Sequence, residues 1–248
     1  MKKLFLFLLL VLSLATHAQP LRVAVAANAQ FVIKALQADF RERTGIEIEV
    51  ITGSSGKLTT QIKNGAPYDV FLSADMDFPN ALYKEGFGIN PPKVYALGSL
   101  IVCSTSDLEL KNWRNLLTTN KVNKMAVANP VLAPYGKAAE QALRHYGLWN
   151  KINSKMVLGE SISQVNTYIS TGVASLGFTT EALIYESPDA AKLKWVKVDH
   201  KVYDEIKQGM LILTYAKKRN YDKALKFFNY LQSPAAKQLF KKNGYRIP

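Results

Sequence analysis

The sequence predicts an α/β protein of two lobes, each a sheet flanked by helices, joined by a hinge that the chain crosses twice. Three observations carry this prediction. Apolar strand-like runs alternate with helix-period stripes along most of the chain. The alternation comes in two blocks, before and after about residue 98. A final pair of amphipathic helices then needs an apolar partner, and the first block can supply it.

In the first block, Leu21 to Ala26 is an apolar-rich strand, and Ile46, Ile48 and Val50 alternate with Glu47 and Glu49 in a second. Between them Val32, Leu36 and Phe40 recur at four-residue spacing, flanked by Phe31, Ile33 and Ala35. Gly45 stands where a C-terminal cap belongs. Strand, helix and strand within about thirty residues make a parallel crossover unit. A helix over Lys57–Lys63, a strand over Tyr68–Leu72 and a helix over Phe78–Lys84 follow. The second block repeats the grammar: strands at Leu100–Cys103, Met125–Ala128, Lys155–Leu158 and Leu176–Phe178, with helices at Tyr135–His145 and Ile162–Ser170. Met210–Tyr215 reads as a buried strand, and helices at Tyr221–Leu231 and Pro234–Lys242 close the chain. Leu225, Phe228 and Leu231 form a stripe suited to the first lobe. The predicted division is residues 19–98 plus 213–248 in the first lobe and 99–212 in the second, with crossings near Ala96–Val102 and Leu211–Tyr215. Two crossings make a hinge with a cleft, the usual seat of a small ligand.

Residues 1–18 read as an export signal: Lys2 and Lys3, an apolar run from Leu4 to Ala15, then small Thr16 and Ala18 at the cleavage positions. The run is shorter than a bilayer span requires, and with no cysteine following it a lipid anchor is not indicated. The net charge of +13 suits an anionic ligand. The basic residues are scattered, however, which fits a solvated face better than a nucleic-acid footprint. Cys103 is the single cysteine, so neither an intramolecular disulfide nor a thiolate metal site can form, and its apolar strand predicts a buried, inert thiol.

Four turns stand immediately before helices: Ala27-Asn28, Gly53-Ser54-Ser55-Gly56, Ala133-Pro134-Tyr135-Gly136 and Glu160-Ser161-Ile162-Ser163. Helix starts expose unpaired N–H groups at the positive end of a dipole and bind anions, although plain N-capping explains any one of them. Gly56-Lys57 does not complete a nucleotide-binding loop, because Ile51 stands at the first glycine position and Leu58 at the magnesium-holding hydroxyl. No zinc-binding histidine pattern and no G-x-S-x-G turn is present. Asp69 and Asp75 could form an acid/base pair, but fit better as a structural acceptor and a helix cap. The expected protein is therefore not an enzyme.

The segments Val23 to Asn28, Gly53 to Leu58, Asn64 to Asp75, Asn129-Pro130 through Gly136, Leu176-Gly177-Phe178 and Gly244-Tyr245 together resemble the periplasmic molybdate-binding proteins of ABC importers, over Leu21 to Pro248. The resemblance implies the type II periplasmic binding protein fold, with molybdate or tungstate as ligand. It also implies a periplasmic location and an inner-membrane permease with its ATPase as partners. A monomer without a cofactor is expected. The oxyanion is held by neutral donors, with no direct metal ligands: Asn28 and Ser55 from the first lobe, the N–H groups of Tyr135 and Ile162 from the second, and Ala27 and Thr180 as further candidates. Many members carry a ligand-contacting tyrosine where this chain has Thr179 and Thr180. A donor-only cavity disfavours protonated anions such as phosphate, which want an acceptor. A binding protein for another oxyanion such as sulfate, or an exported phosphate or sulfate ester hydrolase, is the alternative.

Overall fold

The computed structural model describes residues 19–186 and 190–248; the predicted export signal, residues 1–18, lies outside the described residues. The chain opens with β1 (Leu21–Ala26), α1 (Val32–Thr44), β2 (Ile48–Gly53), α2 (Ser55–Lys63), β3 (Val70–Leu72) and α3 (Asp77–Lys84). β1 pairs in parallel with β2 on one side and β3 on the other, so α1 and α2 act as the crossovers that parallel pairing demands. α1 buries Val32, Ile33, Leu36 and Phe40 and ends at Gly45. There φ is 68° and the N–H returns to the Arg41 carbonyl, a left-handed cap that glycine adopts without a Cβ penalty.

β4 (Lys93–Gly98) then hands the chain through Ser99 to β5 (Leu100–Ser104) in a second sheet. This half continues through α4 (Trp113–Leu116), β6 (Met125–Ala128), α5 (Pro134–His145), β7 (Met156–Gly159), α6 (Ile162–Ser170), β8 (Leu176–Thr180), α7 (Ala182–Glu186) and β9 (Lys194–Lys197). β10 (Ile206–Ile212), α8 (Tyr221–Tyr230) and α9 (Pro234–Lys242) complete the chain. The strand orders are β2-β1-β3-β10-β4 and β7-β6-β8-β5-β9.

The return to the first sheet needs correction. The sequence places that strand at Met210–Tyr215, with the crossing at Leu211–Tyr215 and residues up to 212 in the second lobe. In the structure β10 covers Ile206–Ile212 and pairs antiparallel with β3 and β4 of the first sheet, so the crossing lies upstream, between β9 and β10. Two features hide the start of β10 in the sequence. Gln208 interrupts the apolar run although it is wholly buried, and the register shifts between Gln208 and Gly209. Tyr215 instead belongs to a 3-10 turn over Thr214–Lys218.

Side-chain alternation shows how the first sheet is covered. Val23 and Val25 of β1 face a core with Val32, Leu36 and Phe40 of α1 and with Phe227 and Phe240 of α8 and α9, while Ala24 faces Leu58, Ile62 and Phe71. Phe40 and Phe227 meet edge to face at 5.1 Å, and each fully buried aromatic contributes on the order of 1.5–3 kcal/mol through burial alone. The second sheet has its own core, from Leu100 to Val202, which Ala26, Ala74 and Ile206 of the first lobe join. α7 sits at the seam, with Ala182 in the first lobe's core and Leu183 in the second's. Cys103 is buried in β5, and burial pushes its thiol up to about 12.

Candidate functional site

The C-terminal ends of the parallel strands in both sheets point into the space between the lobes, and a turn and a helix start follow several of them. β1 leads into a 3-10 turn, Ala27–Ala29, that carries Asn28. β2 leads into α2, whose N-cap is Ser54; the Ser54 Oγ accepts from the Lys57 N–H at 3.4 Å. β6 leads through Ala133 into α5, with Pro134 in its first turn, where the missing N–H costs nothing. β7 leads through Ser161, whose Oγ accepts from the Gln164 N–H, into α6 at Ile162.

The 3-10 turn after β1 and the starts of α2, α5 and α6 meet at one narrow cavity of about 10 Å³, lined by Ala26, Ala27, Asn28, Ser54, Ser55, Ala74, Ala133, Pro134, Tyr135 and Ile162. None of these residues is charged. The first turns of α2, α5 and α6 bring positive helix ends to it, so its field favours an anion although no side chain supplies a cation. The two serines divide their work. Ser54 is a cap, whereas Ser55, 1% exposed, accepts from the Ala74 N–H at 3.0 Å, which leaves its own proton to donate.

Asn28 is 3% exposed and its Nδ2 donates to Gln208 Oε1 at 2.8 Å; its Oδ1 has no partner. Tyr95 donates to the same Gln208 Oε1 at 2.8 Å and lies 3.2 Å from the Ser73 carbonyl. Burial holds the Tyr95 phenol well above its ordinary range, so it stays protonated. The Tyr245 hydroxyl donates to the Asn28 carbonyl at 2.8 Å. Thr180 is not among the lining residues: its Oγ1 donates to the Tyr135 hydroxyl at 3.1 Å, which Gln208 Nε2 also approaches at 3.4 Å. Gln208 and Tyr95 are absent from the residues singled out in the sequence; a lone glutamine inside an apolar strand was the available signal.

The lobes are closed over the cavity. The Gly56 N–H of α2 donates to the Leu132 carbonyl of the opposite lobe at 2.9 Å. Ser163 donates to Gln30 Oε1 at 2.7 Å, and Lys57–Glu160 and Lys137–Asp77 pair across the rim at 2.8 Å each. Beside the last pair a second interlobe recess holds Asp75, whose Oδ1 accepts from the Ser73 hydroxyl and, at 3.3 Å, from the Phe78 N–H. Burial pushes the Asp75 carboxyl up to about 6 against these bonds. Asp69 flanks the other end of β3, its Oδ2 accepting from the Arg22 N–H at 2.8 Å and from Asn220 at 2.9 Å. The two aspartates thus hold separate structural positions, not one site. Among the described residues no group of histidine, cysteine, aspartate or glutamate side chains could hold a metal ion.

Two sheets joined by a two-crossing hinge, with helix starts from both converging on a closed, neutral cavity, define a two-lobed solute-binding protein. The chain belongs to the family of bacterial extracellular solute-binding proteins, whose model matches residues 21–246. It is similar to the molybdate-binding protein ModA of Azotobacter vinelandii, 35% identical over 95% of this chain and 93% of that protein. It is also similar to the ModA of Rhodobacter capsulatus, 32% identical over 97% and 93%. The solved structure of the Azotobacter vinelandii periplasmic molybdate-binding protein superposes with a TM-score of 0.85 at 33% identity, covering 92% of this chain and 99% of that one. The type II binding-protein fold expected from the sequence is the fold observed.

Proposed function

We propose that this chain captures molybdate in the interlobe cavity, outside the cytoplasmic membrane, and delivers it to the permease of an ABC importer. The observation that carries this reading is the convergence of three helix starts and a 3-10 turn, from two lobes, on a cavity lined only by neutral groups. The molybdate-binding names of its relatives supply the ligand. A dianion there is held by hydrogen-bond donors instead of a counter-ion, so no second charge has to be desolvated, and each charge-assisted bond contributes about 1.5–3 kcal/mol. Ser55 donates from its hydroxyl and Asn28 from its amide. The first turns of α5 and α6, at Tyr135 and Ile162, supply backbone N–H groups, with the turn at Ala27 beside them. Residues 1–18 act as the export signal, and the mature chain works as a monomer in the periplasm without a cofactor and without catalysis.

A calorimetric and thermal-shift panel of molybdate, tungstate, sulfate and phosphate tests this, because a ligand of the folded state raises its stability by mass action. Molybdate and tungstate are expected to raise the melting temperature, with phosphate inert. A sulfate response larger than the molybdate response, or a flat panel, would overturn the ligand assignment. Ser55→Ala is expected to weaken molybdate binding about tenfold or more while leaving the unliganded melting temperature within a few degrees, consistent with loss of one charge-assisted bond.

A further inference from the structure

The unpartnered oxygen of Asn28 is at odds with an anion site, because an oxyanion beside it meets an acceptor and not a donor. The surrounding network shows how this resolves. Tyr95 has one hydroxyl proton but two acceptors within reach, the Ser73 carbonyl and Gln208 Oε1. If the Asn28 and Gln208 amides both turn by half a rotation, every heavy atom keeps its place and nitrogen exchanges with oxygen. Gln208 Nε2 then donates to Asn28 Oδ1 and to the Tyr95 oxygen, and Tyr95 spends its single proton on the Ser73 carbonyl. Gln208 Oε1 faces the Tyr135 hydroxyl across the interlobe contact now made at 3.4 Å. Asn28 Oδ1 is no longer orphaned, and Asn28 Nδ2 is released to the cavity.

We propose that Gln208 and Tyr95 are positioning residues that hold the Asn28 amide in the orientation in which it donates to the anion. This rests on the assignment of Asn28 to the anion site. The Ser73 carbonyl, which can only accept, ends the chain and sets its direction: Tyr95 donates to Ser73, Gln208 donates to Tyr95 and to Asn28, and Asn28 donates to the anion. Because Gln208 also meets Tyr135 of the opposite lobe, the amide pair is set in the closed state, where the anion is enclosed.

A double-mutant cycle on the full chain separates this role from packing, because residues that act through one another are non-additive. Asn28→Ala and Gln208→Leu are each expected to weaken molybdate binding about tenfold or more, the double variant no more than the worse single one. Additive losses overturn the positioning role. Unchanged affinity in Asn28→Ala alone overturns the site assignment itself, a distinguishable failure. Tyr95→Phe, which removes one oxygen and keeps the ring, covers the case in which Gln208→Leu does not fold. It is expected to weaken molybdate binding threefold or more in the wild-type background and not at all in Asn28→Ala; equal losses in both backgrounds overturn the proposal. Neutron diffraction of deuterated crystals grown with molybdate reads the orientation directly. Deuterium on the Asn28 atom facing the anion is expected, and deuterium on the atom facing Gln208 overturns the turn.

Discussion

The Tyr135 hydroxyl occupies the space that a side chain at Gly98 would need: a Cβ there would lie 2.1 Å from the oxygen and 3.0 Å from Gln208 Nε2. Gly98 ends β4 where the chain leaves the first sheet, and Tyr135 opens a helix of the second, so the hinge admits a cavity-lining residue of the opposite lobe only because residue 98 has no side chain. Gly98→Ala is therefore expected to displace Tyr135 at an overpacking cost of roughly 1–3 kcal/mol and to weaken molybdate binding by tenfold or more. Calorimetry and a melting curve check both; an unchanged affinity would show that the contact is incidental to closure.

The rim pairs Lys57–Glu160 and Lys137–Asp77 are half-exposed, and such pairs are worth about 0.2–1 kcal/mol. Glu160→Gln and Asp77→Asn should each raise the molybdate dissociation constant by no more than about fivefold. The change should lie in the off-rate and shrink as salt rises to roughly 0.5 M, without vanishing, because the Debye length there, about 4 Å, still exceeds the contact distance. Stopped-flow dissociation at two salt concentrations measures it, and a salt-independent loss would point to something other than the ion pair.

Asp75 gives the fold a pH dependence of known sign. Its carboxyl is raised to about 6 by burial, so between its ordinary range near 4 and 6 the folded chain binds a proton that the unfolded chain releases. The protonated group's contribution is fully present below pH 4 and is lost as pH rises through 6. Asp75→Asn keeps an acceptor for Phe78 and Ser73 and removes the charge. It should raise the melting temperature at pH 8, by an amount matching about 1–3 kcal/mol, and have little effect at pH 4. A larger gain at pH 4 than at pH 8 would reverse the assignment.

Asp69 is wholly buried and ties the start of β1 to the residue before α8 through Arg22 and Asn220. Asp69→Ala strands both donors and should cost about 3 kcal/mol or more, lowering the melting temperature by several degrees. The molybdate affinity of the folded fraction should be unchanged, since Asp69 does not line the cavity. A lost affinity at full folding would place it in the function instead.

The helix starts were legible because their chemistry is local. Ser54 before α2, Pro134 in the first turn of α5 and Ser161 before α6 each satisfy or replace a backbone donor within a few residues, and short-range sequence records that. That all four turns share one cavity depends on two sheets facing each other, which periodicity does not encode; the family resemblance supplied it. β9, reading Lys-Trp-Val-Lys, escaped notice because an edge strand of this length carries little apolar signal. The start of β10 was obscured by Gln208, a buried polar residue whose value lies in partners from distant parts of the chain, Asn28, Tyr95 and Tyr135. The hydrogen bond from Thr180 to the Tyr135 hydroxyl joins residues 45 positions apart, which short-range sequence does not record.

The bond from the Gly56 N–H to the Leu132 carbonyl joins the lobes main chain to main chain. Side-chain drift cannot erase such a link; only proline at residue 56 removes the donor. It also exists only while the cleft is shut. The solvent exchange rate of that single amide proton therefore records how often the two halves part, so the resting opening frequency of an unlabelled receptor can be timed from one backbone resonance.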